Sequence, residues 1–209
     1  MKSIQIIKKL NNTEIGKGGT HETYVLVPQS LNVSDVFGNI NEVMSFFSPQ
    51  FHKEFKIRLT SAREKRIVGL GPFYSQCNIQ AGDNVIFEKN IYEDKTEILI
   101  RYQHYSNRVV LQCQTDGFEV LSGSVDMINS FPHYSSINGI RGILKISFKK
   151  SAKKRSDSPM PTDFYDLLCG DQSFFPMYSG KELVEVILSG SEATVNKFCV
   201  WEKHIIETE

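Results

Sequence analysis

The sequence predicts a mainly β protein, a small barrel or sandwich with a few short helices. Its apolar segments are short and bounded by Gly, Pro, Asn or Asp. Several alternate strictly with charged residues, and few show helical spacing. With 209 residues, 40% of them hydrophobic, the chain can bury one substantial core, or one core with a structured extension.

The elements follow in order. Residues 3–10 are Ile-rich and end in Lys8-Lys9, a strand. Residues 11–21 are polar and carry Gly16, Gly18 and Gly19, a loop. Tyr24 to Val27 is a continuous apolar run closed by Pro28, which fits a buried strand. Ile40, Val43, Met44 and Phe47 share one face at helical spacing, and Asn39 with Glu42 reads as a capping box, so a short helix is expected there. Phe55, Ile57 and Leu59 alternate with Glu54, Lys56 and Arg58, a half-exposed strand. Gly69, Gly71 and Pro72 break the chain. Val85 to Phe87, Ile98 to Tyr102, Val109 to Cys113 and Leu144 to Phe148 read as further strands. Residues 149–161 are basic and Pro/Ser-rich, a linker or loop. Ser179 and Glu182 then suggest the cap of a short helix carrying Leu183, Val184 and Ile187, and Thr194 to Trp201 a final strand. The expected domains are 1–148, a linker or loop at 149–161, and a C-terminal extension over 162–209, a short helix and strand that either stand apart or complete the same domain.

Composition narrows the function classes. Basic and acidic residues balance at 24 each, so the chain is not a general polyanion binder; DNA binding requires positive charge gathered in a few loops. Cys77, Cys113, Cys169 and Cys199 are isolated and lack zinc or redox spacing, which reads as reduced, buried thiols. No metal site and no cofactor is expected. The N-terminus has no signal-like apolar core and no run reaches bilayer length, so a soluble, cytoplasmic protein without a membrane partner is expected.

Two polar loops between strands stand out. The first, residues 16–22, offers Lys17, Thr20, His21 and Glu22 among glycines that allow close backbone approach. The second offers Arg63, Glu64, Lys65 and Arg66. Arg can fork guanine, Glu can accept from cytosine, and Lys positions on phosphate; reading a base sequence needs such a mixture.

Ile7-Lys8-Lys9-Leu10, then Gly16 through His21-Glu22, then Val25-Leu26-Val27-Pro28, resembles the start of the N-terminal effector-binding domain of EcoRII-type restriction endonucleases. Arg63-Glu64-Lys65-Arg66-Ile67 is similar to that domain's second recognition segment, and Gly82-Asp83 to its turn before a core strand. The resemblance implies a seven-stranded pseudobarrel like that of plant B-three transcription factors, here with a C-terminal extension. Two arms grip the major groove: Lys17, Thr20, His21 and Glu22 fall on the N-arm, and Arg63, Glu64, Lys65 and Arg66 on the C-arm. It implies a site-specific double-stranded DNA-binding module of a restriction system, with no catalytic residue of its own. Its partner would be a nuclease domain or subunit, or a McrB-like NTPase with its nuclease, as in LlaJI-type systems. The chain departs from the family at Glu22, where Gln is usual, at Thr20, where a second Gly precedes the His, and at Val68-Gly69, where Trp-Gly follows the C-arm. These departures bear on which bases are read.

The alternative is a complete small metal-dependent nuclease with its site within residues 105–209. Elsewhere, Glu54-Phe55-Lys56 and Glu93-Asp94-Lys95 have the short spacing of a nuclease element, but Asp35 and Asp83 upstream lack a strand context. Gly16 to Thr20 does not have the order of a phosphate-binding Walker loop. His52-Lys53 is not followed by the Asp of a phospholipase-type nuclease motif, and His104 and His133 lack partners at useful spacing; they read as structural or surface residues.

Overall fold

The first strand alternates over its middle: Ile4, Ile6 and Lys8 are buried, and Gln5 and Ile7 between them are partly exposed. The structure, a computed structural model, describes residues 1–11, 13–16, 23–152, 161–180, 182–197 and 200–208. It is mainly β and divides into two units, residues 1–104 with 200–209, and residues 105–199.

The first unit runs β1 (Lys2–Lys9), β2 (Tyr24–Val27), helix α1 (Ser34–Phe37), β3 (Val43–Ser48), β4 (Lys53–Ser61), β5 (Lys65–Val68), helix α2 (Gly71–Cys77), β6 (Asn84–Ile91) and β7 (Thr96–Gln103). The strands lie in the order β1-β6-β7-β3-β4-β5-β2 in one curled sheet, antiparallel except where β3 meets β7. The inner face holds a core built around Phe37, Phe46 and Phe87, whose ring centroids lie 4.8–5.8 Å apart and tie α1, β3 and β6 together.

The second unit runs β8 (Arg108–Gln114), β9 (Gly117–Ser122), helix α3 (Val125–Asn129), β10 (His133–Ile137), β11 (Ile140–Ala152), β12 (Thr162–Cys169), β13 (Gln172–Ser173), β14 (Leu183–Ser189) and β15 (Glu192–Lys197). The order β11-β10-β15-β14-β8-β9-β12 returns to β11 through a long β11–β12 ladder, closing a seven-stranded barrel. Phe118, Leu111, Leu167 and Val186 fill its interior. The chain then rejoins the first unit as β16 (Trp201–Glu207), antiparallel to β1, so that sheet has eight strands and its edges are β16 and β2.

Several expectations are corrected. Residues 40–47 do not form a helix. Asn39 N–H does donate to the Glu42 carboxylate at 2.9 Å, but the contact closes a turn that feeds β3. Ser179 N–H likewise donates to Glu182 at 2.9 Å, and a strand, β14, follows where a helix was expected. In both places the segment pairs with a strand on each side, β3 with β4 and β7 and β14 with β8 and β15, and this pairing outweighs the local cap. Conversely, the break at Gly71-Pro72 opens α2, with Pro72 in its first turn.

The expected division at 148 falls inside β11, and Lys149 to Ala152 belong to that strand. The remainder of the expected linker up to 160 lies outside the described residues. Residues 162–209 supply β12 to β15 to the barrel and β16 to the first unit. The expected final strand Thr194–Trp201 is likewise split between β15 and β16.

Candidate nucleic-acid interface

The second polar loop is the tip of the β4–β5 hairpin. Ala62 N–H donates to Glu64 O at 3.4 Å, and Ser61 pairs with Lys65 at the mouth. The inward positions of β4, Phe55, Ile57 and Leu59, are buried, which fixes the other face outward. That outward face carries Glu54, Lys56, Arg58 and Thr60 from β4, Arg66 and Val68 from β5, and Tyr24 and Leu26 from β2, as the registers Arg58–Val68, Thr60–Arg66 and Leu26–Arg66 require.

The four charged residues of this loop therefore divide. Arg63 and Glu64 are exposed at the tip, Lys65 points to the opposite side from Arg66, and Arg66 lies on the outer face. The Arg66 guanidinium stacks over the Tyr24 ring at 4.3 Å and pairs with the Glu64 carboxylate at 2.8 Å. An exposed ion pair adds little stability. Its geometric effect is larger: ring and carboxylate together hold a long side chain in one orientation, which lowers the entropy lost on binding. Tyr24 and Arg58 escape sequence reasoning, because only cross-strand register brings Tyr24 under Arg66 and sets Arg58 along the same face, next to the Thr60 that pairs with Arg66. The alternation of β4 marks Lys56 and Arg58 as outward and nothing more.

Lys17, Thr20, His21 and Glu22 lie outside the described residues; the base of their loop does not. A Cβ built on Gly16 would lie 3.5 Å from the Thr23 side chain, so the two ends of segment 17–22 start close together. Below them is a buried ion pair. Lys8 Nζ lies 3.0 Å from Glu14 Oε1 with both side chains almost wholly buried, and Lys8 also faces the Trp201 ring at 5.3 Å. Glu14 accepts from Asn11 N–H at 3.1 Å, while Asn11 Oδ1 accepts from Glu14 N–H at 3.0 Å. Burial lowers the Lys8 pKa and raises that of Glu14; their mutual attraction opposes both shifts.

The register also sets the spacing of the two loops. Tyr24 pairs with Val68 and Val27 with Lys65, so the base of the first loop lies at the far end of β5 from the hairpin tip. The offset of three strand positions is about 10 Å.

The nuclease-like triplets are placed apart from one another. Glu54 accepts from the Ser45 hydroxyl on the outer face, 3.8 Å from Lys56, and Lys95 pairs with Glu97 beside the β6–β7 turn. Asp35 pairs with Lys203; Asp83 accepts from Gln80 N–H and faces His104 Nδ1 at 2.8 Å. Among the described residues no group of three or more His, Cys, Asp or Glu is arranged to hold a metal ion. Cys77, Cys113 and Cys169 are buried free thiols, and burial pushes the Cys77 thiol up to about 12, with the Asp83 carboxylate adding to it. Cys199 lies outside the described residues. Among them no helix is long and apolar enough to cross a membrane. Compared with known proteins, the chain matches no family model and no curated protein sequence.

Proposed function

We propose that the first unit is the target-recognition module of a restriction system. It reads a short site in double-stranded DNA through the major groove, and another domain or subunit, a nuclease with or without an NTPase, supplies cleavage. The observation that carries this reading is the oriented Arg66: a guanidinium held over Tyr24 at the base of an exposed hairpin that also presents Arg63 and Glu64. An arginine fixed in advance can fork the O6 and N7 of guanine, while Glu64 can accept from cytosine.

Two further features support it. Strands β1 to β7 form one curled sheet, to which β16 adds an eighth strand, and the polar loops fall between β1 and β2 and between β4 and β5, where a B-three-like pseudobarrel carries its two arms. The offset along β5 between the hairpin mouth at Lys65 and the first-loop base at Tyr24, about 10 Å, suits a major groove about 12 Å wide. Lys17, Thr20, His21 and Glu22 would then enter one side of the groove, and Arg63, Glu64, Lys65 and Arg66 the other. Lys56 and Arg58, exposed on the same outer face as Arg66, add phosphate partners that the sequence did not single out.

Selection of bound duplexes from a random pool, with and without magnesium, tests this directly. A discrete enriched motif without cutting is the expected result. Arg66→Ala or Arg63→Ala should weaken binding by about 1–3 kcal/mol and relax one position of the motif. No enrichment, or unchanged binding by both variants, removes the C-arm assignment.

A further inference from the structure

The closed barrel carries a cleft that the duplex-reading face does not use. It has a volume of about 380 Å³ and is lined by Gln114, Thr115, Phe175 and Tyr178 among others. That is within the range of small-ligand sites. Two aromatic rings form one wall. Phe175 and Tyr178 both lean on buried Phe118, each with a centroid 5.6 Å from it and steeply tilted, so their positions are fixed by the core.

Cations gather at this wall. β11 and β12 pair Phe148 with Tyr165 and Lys150 with Phe164, so Lys149 is the extra residue of a β-bulge. The bulge turns its ammonium over the Phe175 ring, 4.3 Å from the centroid. Lys150 is paired with Asp116, and Lys197 with Glu182 while also facing Tyr178 at 6.0 Å. Lys149 has no carboxylate partner among the described residues. Beside it Phe148 is 61% exposed. Burial and the Glu182 carboxylate hold the Cys113 thiol at the cleft above its ordinary pKa.

We propose that this cleft binds a nucleobase that carries a phosphate, with Phe175 and Tyr178 as stacking surfaces and Lys149 as the phosphate partner. Aromatic rings beside an uncompensated cation recognise any base through its π-face and its phosphate through charge. The base can come from a free mononucleotide or from an unpaired position in a nucleic-acid strand.

The test uses the full chain, isotope-labelled for NMR, titrated with AMP, with CMP and with a short single strand of mixed sequence. Backbone amides of Thr115, Phe175 and Tyr178 should shift. Tighter binding of the strand than of either mononucleotide assigns the source to an unpaired base; equal binding assigns it to free nucleotide. Phe175→Leu should weaken binding about tenfold, as expected for loss of a stacked base. Lys149→Gln, at an exposed position that cannot upset the core, should weaken the strand severalfold and lower its salt slope by about 0.7. Arg66→Ala should leave these titrations unchanged, which separates the cleft from the duplex-reading face. Silent amides with all three probes, or wild-type affinity in both Phe175→Leu and Lys149→Gln, overturns the proposal.

Discussion

The two units solve the problem of sheet edges differently. The barrel of residues 105–199 joins its last strand to its first through the β11–β12 ladder and hides the edges of all seven strands. The sheet of the first unit stays open, and its β1 edge is covered only when the chain returns as β16. Closure leaves a barrel little freedom except at its ends, where its aromatic cleft lies. An open sheet keeps one broad outer face and a projecting hairpin, and there Arg66, Tyr24 and the β4 cations are gathered. The contrast teaches that the same strand pattern can build an extended surface or a confined cleft, according to whether the ladder closes.

Core truncations should separate the units most strongly. Phe87→Ala in the sheet and Phe118→Ala in the barrel each delete a fully buried ring and should cost about 3–5 kcal/mol. Buried thiols report the outcome, since Cys77 belongs to the first unit and Cys113 and Cys169 to the second. In a Cys199→Ser background, thiol labelling in urea should advance at Cys77 for the first variant and at Cys113 and Cys169 for the second. Equal advance at all three in both variants would mean that the units unfold as one, and the comparison would fail.

The buried pair under the first loop comes next. Lys8→Ala leaves the Glu14 carboxylate buried without its partner and should cost about 3–5 kcal/mol, whereas Lys8→Met with Glu14→Leu should recover most of that loss. The pH dependence has a definite sign. Burial raises Glu14 above its ordinary value of 4.5, so its contribution is present below that value and is lost as pH rises through the folded one. The urea midpoint of Cys77 labelling should follow this trend from acid towards neutral pH. Glu14→Gln should flatten it, and an unchanged slope would assign the dependence to other groups.

A smaller effect compares one glycine from each unit. Gly69 has φ +91°, and an added Cβ would run into the Lys56 carbonyl oxygen; Gly139 has φ +82° and open space around it. Gly69→Ala should cost at least 1–3 kcal/mol, of order the strain of a left-handed residue with a backbone clash added, and Gly139→Ala about 1 kcal/mol. Equal losses in thermal unfolding would place Gly69 away from β4.

Much of the first unit was legible in the sequence. β1, β2, β4, β6 and β7 announce themselves by alternation or by short apolar runs between turn residues, and the polar loops by composition. Asn39 with Glu42, and Ser179 with Glu182, misled because the cap contact forms in either case. A side chain reaching a backbone N–H three residues away fixes a turn and does not specify whether a helix or a strand continues from it. Of the candidate site, Arg63 to Arg66 was legible as a charged turn. Tyr24 read as one more apolar residue of a buried strand.

By itself the sequence determined the mainly β class, most strand positions and a charged loop at residues 63–66, since each depends on neighbours within a few residues. The tertiary structure alone decided which strands pair, that residues 105–199 close while the flanking sheet does not, that Arg66 rests on Tyr24, and that Lys149 turns over Phe175. Those outcomes join residues tens of positions apart. They are set by burial and register summed over whole sheets, where single contacts of a fraction of a kcal/mol leave no mark in any local pattern.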